Sequence, residues 1–268
     1  MSRRRLDREL IRRELVSTRN QAQELIESGQ VLVDGAAATK AARLVAPSEA
    51  IVLTGPGPRF VSRGGDKLDA ALTRFGIEAR GKRVADVGAS TGGFSDCLIQ
   101  RGATQVLAID VGHGQLDHGL RNDSRVQVFE RTNIRHLDID EIGGPVNLVV
   151  VDLSFISLKV VFERLVALCE PQGDLLMLVK PQFEAGRVEA TRGQGIIRNP
   201  KVWHRVIKEV SECFSEAKFG VMGVMVSPLR GASGNTEFFL HCRRGIDLST
   251  QFESIDQVVR EAEQVGSP

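Results

Sequence analysis

The chain has 268 residues, of which 42% are hydrophobic, 26% charged and 5% aromatic, a composition that suits a water-soluble globular protein of one large or two smaller domains. No apolar run reaches the roughly 20 residues of a membrane helix, and the N-terminal MSRRRLDREL lacks the apolar stretch of a signal peptide, so a cytoplasmic location without membrane attachment is expected. The net charge of +1 excludes no partner, but residues 1–20 hold seven arginines against Asp7, Glu9 and Glu14, a local basic patch.

From the N-terminus, LDRELIRREL (residues 6–15) places Leu6, Leu10, Ile11 and Leu15 at helical spacing. STRNQAQELIESG makes a second helix that Ser17 or Thr18 can cap and Gly29 can end. VLVD then reads as a strand turning at Asp34-Gly35, and EAIVLT as another strand. Two glycines and two prolines in GPGP, residues 55–58, mark the end of this small helix-helix-strand unit. The unit resembles an S4 RNA-binding domain through RLDREL, STRNQAQELIESGQVLVDG and the closing strand. That resemblance implies RNA contact by Arg3, Arg4, Arg5, Arg12 and Arg19, whose charges suit phosphates of structured RNA. The expected division is an S4-like domain over 1–58, a linker over 59–63 and a second domain over 64–268.

Beyond the linker, RVADVG, QVLAID, VQVFE, NLVVVDL and DLLMLVK are short branched apolar runs. The stretches between them are long enough for crossover helices, such as SLKVVFERLVALC. This predicts an α/β fold, Rossmann-like, with a mostly parallel sheet covered by helices on both faces. FGVMGVMV and TEFFLHC are joined too closely for a parallel crossover and are predicted to be antiparallel. In such sheets ligands collect outside the carboxyl ends of the strands.

The turn DVGASTGGF sits at one such end, between a strand and a helix, and its backbone N–H groups form a polar cradle. Its spacing departs from the dinucleotide fingerprint G-x-G-x-x-G. Asp86 beside the cradle would repel a pyrophosphate but attract the sulfonium of S-adenosylmethionine. Asp110, ending the next strand, can accept both ribose hydroxyls. A plain tight turn explains Gly88 but not an acid at each of the first two strand ends. The expected cofactor contacts are therefore Asp86, Gly88, Ser90, Thr91, Gly92, Gly93, Phe94 and Asp110. Asn133 in ERTNIR either contacts the adenine or caps a helix.

Asp152 ends LVVVDL, Lys180 ends LLMLVKP, Glu237 begins TEFFL at the same sheet edge, and Lys67 starts a helix just before the first strand. Two lysines and two acids can thus converge near the methyl donor. Residues 59–244 resemble the FtsJ-like 2′-O-methyltransferases, a class I methyltransferase group with a Lys-Asp-Lys-Glu tetrad. The whole chain resembles the TlyA (haemolysin A) family of ribosomal RNA cytidine 2′-O-methyltransferases. The segments that carry this are VSRGGDKL, DVGASTGGFSD, DVGHGQL, ERTNIR, DLSFISL, LVKPQFEAG and SPLRGASGNTEFFL. The resemblance implies S-adenosylmethionine as cofactor, ribosomal RNA or a ribosomal subunit as partner, and Lys67, Asp152, Lys180 and Glu237 as the catalytic tetrad.

The residue types suit that chemistry. A ribose hydroxyl is a weak acid, so it must be oriented and relieved of its proton, for which a neutral Lys180 is the candidate base. Lys67 and desolvation favour its neutral form, whereas Asp152 and Glu237 favour the charged one. A C5 pyrimidine methylase would need a strand-end Cys nucleophile, and an amine methylase more often shows a polar-Pro-Pro-aromatic turn where DLSF stands here. Two other readings remain: a membrane-active haemolysin, which lacks a strongly apolar amphipathic helix, and an RNA-binding protein with an inactive methyltransferase domain, which an intact tetrad opposes.

Cys97, Cys169, Cys213 and Cys242 are far apart and read as reduced core thiols. His113 and His118 have no carboxylate and histidine companions at ligand spacing, so no metal site is expected. Phe183 either stacks on a flipped nucleotide or packs in the core, and Trp203 is a packing residue on NPKVWHRVIKEV.

Overall fold

The computed structural model describes residues 3–13, 15–16, 19–55, 57–231, 233–244 and 255–266. The first elements are β1 (Arg4–Arg5), α1 (Leu6–Arg12), α2 (Arg19–Glu27), β2 (Val31–Val33), β3 (Ala36–Ala37), β4 (Leu44–Val45) and β5 (Ile51–Leu53). β2 pairs antiparallel with β3 and β5, and β1 with β4. Asp34 and Gly35 join β2 to β3 with φ of 50° and 80°, the doubly positive two-residue turn that matches the twist of a hairpin. Leu6, Leu10, Leu25, Ile26, Val31 and Val45 close a small core of their own. α1 stops at Arg12, short of the expected Leu15. Arg13 instead turns its guanidinium to the carbonyls of Glu49 and Pro47, at 2.8 and 3.1 Å. Gly29, at φ 71°, follows the end of α2 as expected, while the candidate caps Ser17 and Thr18 lie outside the described residues.

The larger part of the chain contains α3 (Gly64–Phe75), β6 (Arg83–Val87), α4 (Gly93–Gln100), β7 (Gln105–Ile109), α5 (His118–Arg121), β8 (Val126–Phe129), β9 (Val146–Val151) and α6 (Leu158–Leu168). It continues with β10 (Cys169–Val179), α7 (Pro181–Glu184), α8 (Arg187–Arg192), α9 (Pro200–Glu216), β11 (Phe219–Val226), β12 (Phe238–Arg244) and α10 (Ile255–Gly266). Seven strands form one sheet in the order β11-β12-β10-β9-β6-β7-β8. β6 through β10 run parallel, and β12 runs antiparallel to both β10 and β11, as the short connection predicts. β10 begins at Cys169, earlier than DLLMLVK suggests, because Cys169 pairs with Val146 ahead of a register shift at Asp174.

Side chains alternate across the strands and so divide the core in two. Val84, Val106, Val150 and Leu178 face one way and pack with Leu68, Leu72, Phe94 and Leu98 of α3 and α4. Ala85, Leu107, Val151 and Val179 face the other way, against Leu165, Val206 and Val210 of α6 and α9. Trp203 is buried there and donates through Nε1 to the Ile197 carbonyl at 3.0 Å, the packing role expected of it. Cys97, Cys169 and Cys242 are buried free thiols. Burial pushes those of Cys97 and Cys169 up to about 12, which keeps them protonated and unreactive. Among the described residues no helix is long and apolar enough to cross a membrane.

Candidate active site

Register across the central strands brings distant parts of the chain to one edge. Met177 of β10 sits opposite Val151 of β9, and Val179 opposite Phe238 of β12. The residues just beyond these positions, Asp152, Lys180 and Glu237, therefore emerge together. Lys67, in the first turn of α3, completes the group: its Nζ donates to Glu237 Oε2 at 2.7 Å, and the two side chains are only 10% and 3% exposed. Lys180 Nζ lies 2.5 Å from Asp152 Oδ1, an ion pair in which that oxygen receives no aligned donor. The aligned bond from Lys180 goes to Ser154 Oγ, at 3.0 Å. Gly231 packs closely beside this group, since a Cβ there would fall 2.4 Å from Glu237 Oε1 and push the carboxylate aside. All four tetrad candidates line one cavity of about 650 Å³.

The Gly-rich turn forms the floor of the same cavity, which Gly88, Ser90, Thr91, Gly93 and Phe94 also line. Gly88 has φ of 92°, and a Cβ on it would sit 2.4 Å from the Asp152 carbonyl oxygen, so only glycine lets the turn approach β9 this closely. Gly92, at φ 98°, lies behind the wall against Leu116 and Leu120. Asp110 lines a smaller adjoining cleft with Ala89, Ser90 and Gln115. Its carboxylate accepts from the N–H groups of Ser90 and Gly112 at 2.8 and 2.6 Å, which holds the turn and the Asp110 loop together.

Asp86 differs from the expectation of a carboxylate facing the ligand. It shares its strand face with Val84, toward α4, and has no exposed surface. Oδ2 accepts from Ser95 Oγ at 2.7 Å and Oδ1 has no partner. Burial, with the Asp152 charge nearby, raises its pKa to about 7. Period-two alternation thus places Asp86 beneath the cradle and not in the cavity wall. Asn133 accepts from Arg135 N at 3.0 Å and caps the short 3-10 turn Ile134–His136, the second of its two readings. Phe183 lines the cavity and tilts against Phe155 at 5.1 Å between ring centroids. His113 pairs with Glu130 at 2.7 Å, His118 contacts Asn122, and no group able to hold a metal ion occurs among the described residues.

Several cavity residues were not foreseen. Phe155, 90% exposed with φ of 65°, stands at the mouth, and Ser154 precedes it. An apolar residue in DLSF, just past a strand-end acid, was the available signal. Glu24 of α2 also reaches the cavity, paired with Arg63 at 2.9 Å, so the N-terminal unit supplies part of the mouth. No local pattern in α2 announces that contact.

The basic patch is organised by acids that the charge count had set against it. Asp7 and Glu9 are 0% and 1% exposed. Asp7 accepts from Arg5 at 2.9 Å and Arg19 at 2.9 Å, while Glu9 accepts from Arg12 at 2.6 Å and Arg13 at 2.9 Å. The side chains of Arg5, Arg12 and Arg19 remain 36%, 48% and 50% exposed, and Arg3 and Arg4 are exposed as well. The arginine bonds hold both carboxyl groups down at about 2.

The FtsJ-like methyltransferase model matches residues 60–244 and the S4 domain model residues 4–51. A Mycobacterium tuberculosis protein, 16S/23S rRNA (cytidine-2′-O)-methyltransferase TlyA, is 45% identical over 96% of both chains. Hemolysin A of Brachyspira hyodysenteriae is 36% identical over 84% of this chain and 93% of its own. A solved structure from Streptococcus thermophilus, described as a candidate hemolysin, superposes with a TM-score of 0.77 at 34% identity, covering 98% of this chain and 97% of that one.

Proposed function

The chain belongs to the FtsJ-like methyltransferase family and carries an S4 domain, and from that premise we propose that it transfers a methyl group from S-adenosylmethionine to the 2′-hydroxyl of cytidine in ribosomal RNA. The observation that carries this reading is the convergence of two lysine–acid pairs, Lys67–Glu237 and Lys180–Asp152, in one cavity beside the Gly88 turn. The residues around the turn fit the cofactor. Gly88 lets the turn lie close against β9 beside Asp152, Asp110 offers carboxylate oxygens at the adjoining cleft, and Asp152 of the wall suits a cationic sulfur better than a phosphate. S-adenosylmethionine supplies a methyl group that is already electrophilic, so the protein has only to place the hydroxyl and handle its proton.

Lys180 accepts that proton at Nζ as the 2′-oxygen becomes nucleophilic, and Asp152 offsets the positive charge that results. Lys67, held by Glu237, presents a second cation to the oxygen as negative charge builds on it. Phe155 and Phe183 offer aromatic faces at the mouth for an unstacked base. The arginines displayed on Asp7 and Glu9 bind RNA phosphates, with Arg3 and Arg4 beside them. In this reading residues 1–58 bind, 59–63 connect and 64–268 catalyse.

The test is single-turnover methylation of ribosomal RNA by Lys180 variants. Lys180→Ala is expected to lose at least about a hundredfold in rate while RNA and cofactor binding persist. Lys180→Arg is expected to fail equally, because a guanidinium does not give up its proton. Near wild-type activity in Lys180→Arg would remove the base from this mechanism.

A further inference from the structure

Lysine amines spin about their last bond, and an ion pair restrains position more than direction. Lys180 shows the difference: Asp152 Oδ1 is 2.5 Å from Nζ without alignment, whereas Ser154 Oγ accepts an aligned hydrogen bond at 3.0 Å. Ser154 lies in the turn after β9 and lines the cavity that holds both lysines. The turn is held by an unusual backbone, since the next residue, Phe155, has φ of 65°, a region that side-chain-bearing residues seldom enter.

We propose that Ser154 is the positioning residue for Lys180: its hydroxyl sets the orientation of the amine and receives the hydrogen bond that strengthens as the proton arrives. The inference rests on Lys180 being the base. In the step it serves, the O2′–H bond breaks and an Nζ–H bond forms. The O2′ electron pair makes the new bond to the methyl carbon, and the sulfur–methyl pair leaves with sulfur. Nζ passes from amine to ammonium, a better donor, so an acceptor already aligned on it stabilises the transition state more than the ground state. Asp152 supplies charge, and Ser154 supplies direction.

Other charged groups around Nζ are the Lys67–Glu237 pair across the cavity, Arg63 and Glu24 at its mouth, and Asp86 beneath the turn. None of them is altered by a change at Ser154. The residue is exposed, so Ser154→Ala leaves the core intact and Ser154→Thr has room for its extra methyl while keeping the hydroxyl.

The experiment measures single-turnover methylation across pH with the full chain, at saturating cofactor and ribosomal RNA. It is paired with competitive labelling of the Lys180 amine by acetic anhydride in the absence of both substrates. Ser154→Ala is expected to lower the plateau rate about tenfold or more, with both affinities unchanged. Removing an acceptor that favours the ammonium also moves the acid limb of the rate profile, and the onset of labelling, to lower pH. Ser154→Thr is expected to restore plateau, limb and labelling. The proposal is overturned if Ser154→Ala keeps the wild-type plateau and labelling curve, or if its rate falls equally at every pH with labelling unmoved. Failure of the base itself looks different: Lys180→Arg retains activity, whatever Ser154 does.

Discussion

The two parts of the molecule bury their acids in opposite ways. Asp7 and Glu9 in the N-terminal unit are covered by arginines, and the cover is thin, since the side chains of Arg5, Arg12 and Arg19 stay a third to a half exposed and only Arg13 is more enclosed. Asp86 in the larger unit is enclosed by core and meets one serine hydroxyl. The first arrangement keeps both acids ionised and turns them into scaffolds for displayed cations. The second penalises the charge and raises the carboxyl pKa to about 7. Glu237 is a third case, as deeply buried as the first two but matched by a single lysine. The lesson is that a buried acid stays charged only where the fold brings it enough donors: arginine pairs hold Asp7 and Glu9 down, whereas a lone hydroxyl leaves Asp86 raised.

The largest effect is expected where one lysine carries the whole compensation. Lys67→Met strands Glu237 and should cost about 3 kcal/mol or more of stability in thermal or denaturant unfolding, with methylation lost. Adding Glu237→Gln should recover most of the stability and none of the activity. Recovery of activity in the double variant would show that the pair is structural only.

Asp86 gives the next largest effect, and it runs with pH. An ordinary aspartate releases its proton near 3.8, but folded Asp86 keeps it to about 7. Between those values the folded state binds the extra proton, so stability is greatest below about 4, declines as pH rises to about 7 and is level beyond it. Asp86→Asn should flatten that decline, by up to about 4 kcal/mol, in urea unfolding at several pH values. Asp7 and Glu9 act with the opposite sign: their contribution is complete above about 4.5 and is lost as pH falls toward 2. An unchanged slope in Asp86→Asn would mean that the buried carboxyl is solvated in solution.

The smallest effect separates positioning from charge. Asp7→Asn adds a positive charge to the basic patch, so a patch acting by charge alone would bind RNA more tightly. If Asp7 instead aims Arg5 and Arg19, affinity should weaken, by about tenfold or roughly 1.4 kcal/mol, in a filter-binding titration at fixed salt. Tighter binding would break the comparison between the two units.

Local patterns in the chain determined much of this. Strand alternation, the Gly-rich turn after RVADV, the lysine after LLMLV and the arginine-rich helix pair are each set by neighbours within a few residues, because backbone periodicity and turn geometry are short-range. That was enough to place Lys67, Asp152, Lys180 and Glu237 near one sheet edge. Which lysine meets which acid was decided only by tertiary structure: Lys67 and Glu237 are 170 positions apart, and their contact depends on α3 packing beside the β10–β12 register. The same holds for Asp86, whose strand-end position was legible but whose direction, toward Ser95 and away from the cavity, depends on which face α4 covers. Asp7 and Glu9 read as charges subtracted from a basic patch; Arg5, Arg12 and Arg13 are their neighbours within four positions, but the approach of Arg19 and the burial of both acids came only with folding. Coulombic and hydrogen-bonding partners act over a few ångströms of space and not of sequence, so the charge of a group can be read from the chain, but its environment only from the fold.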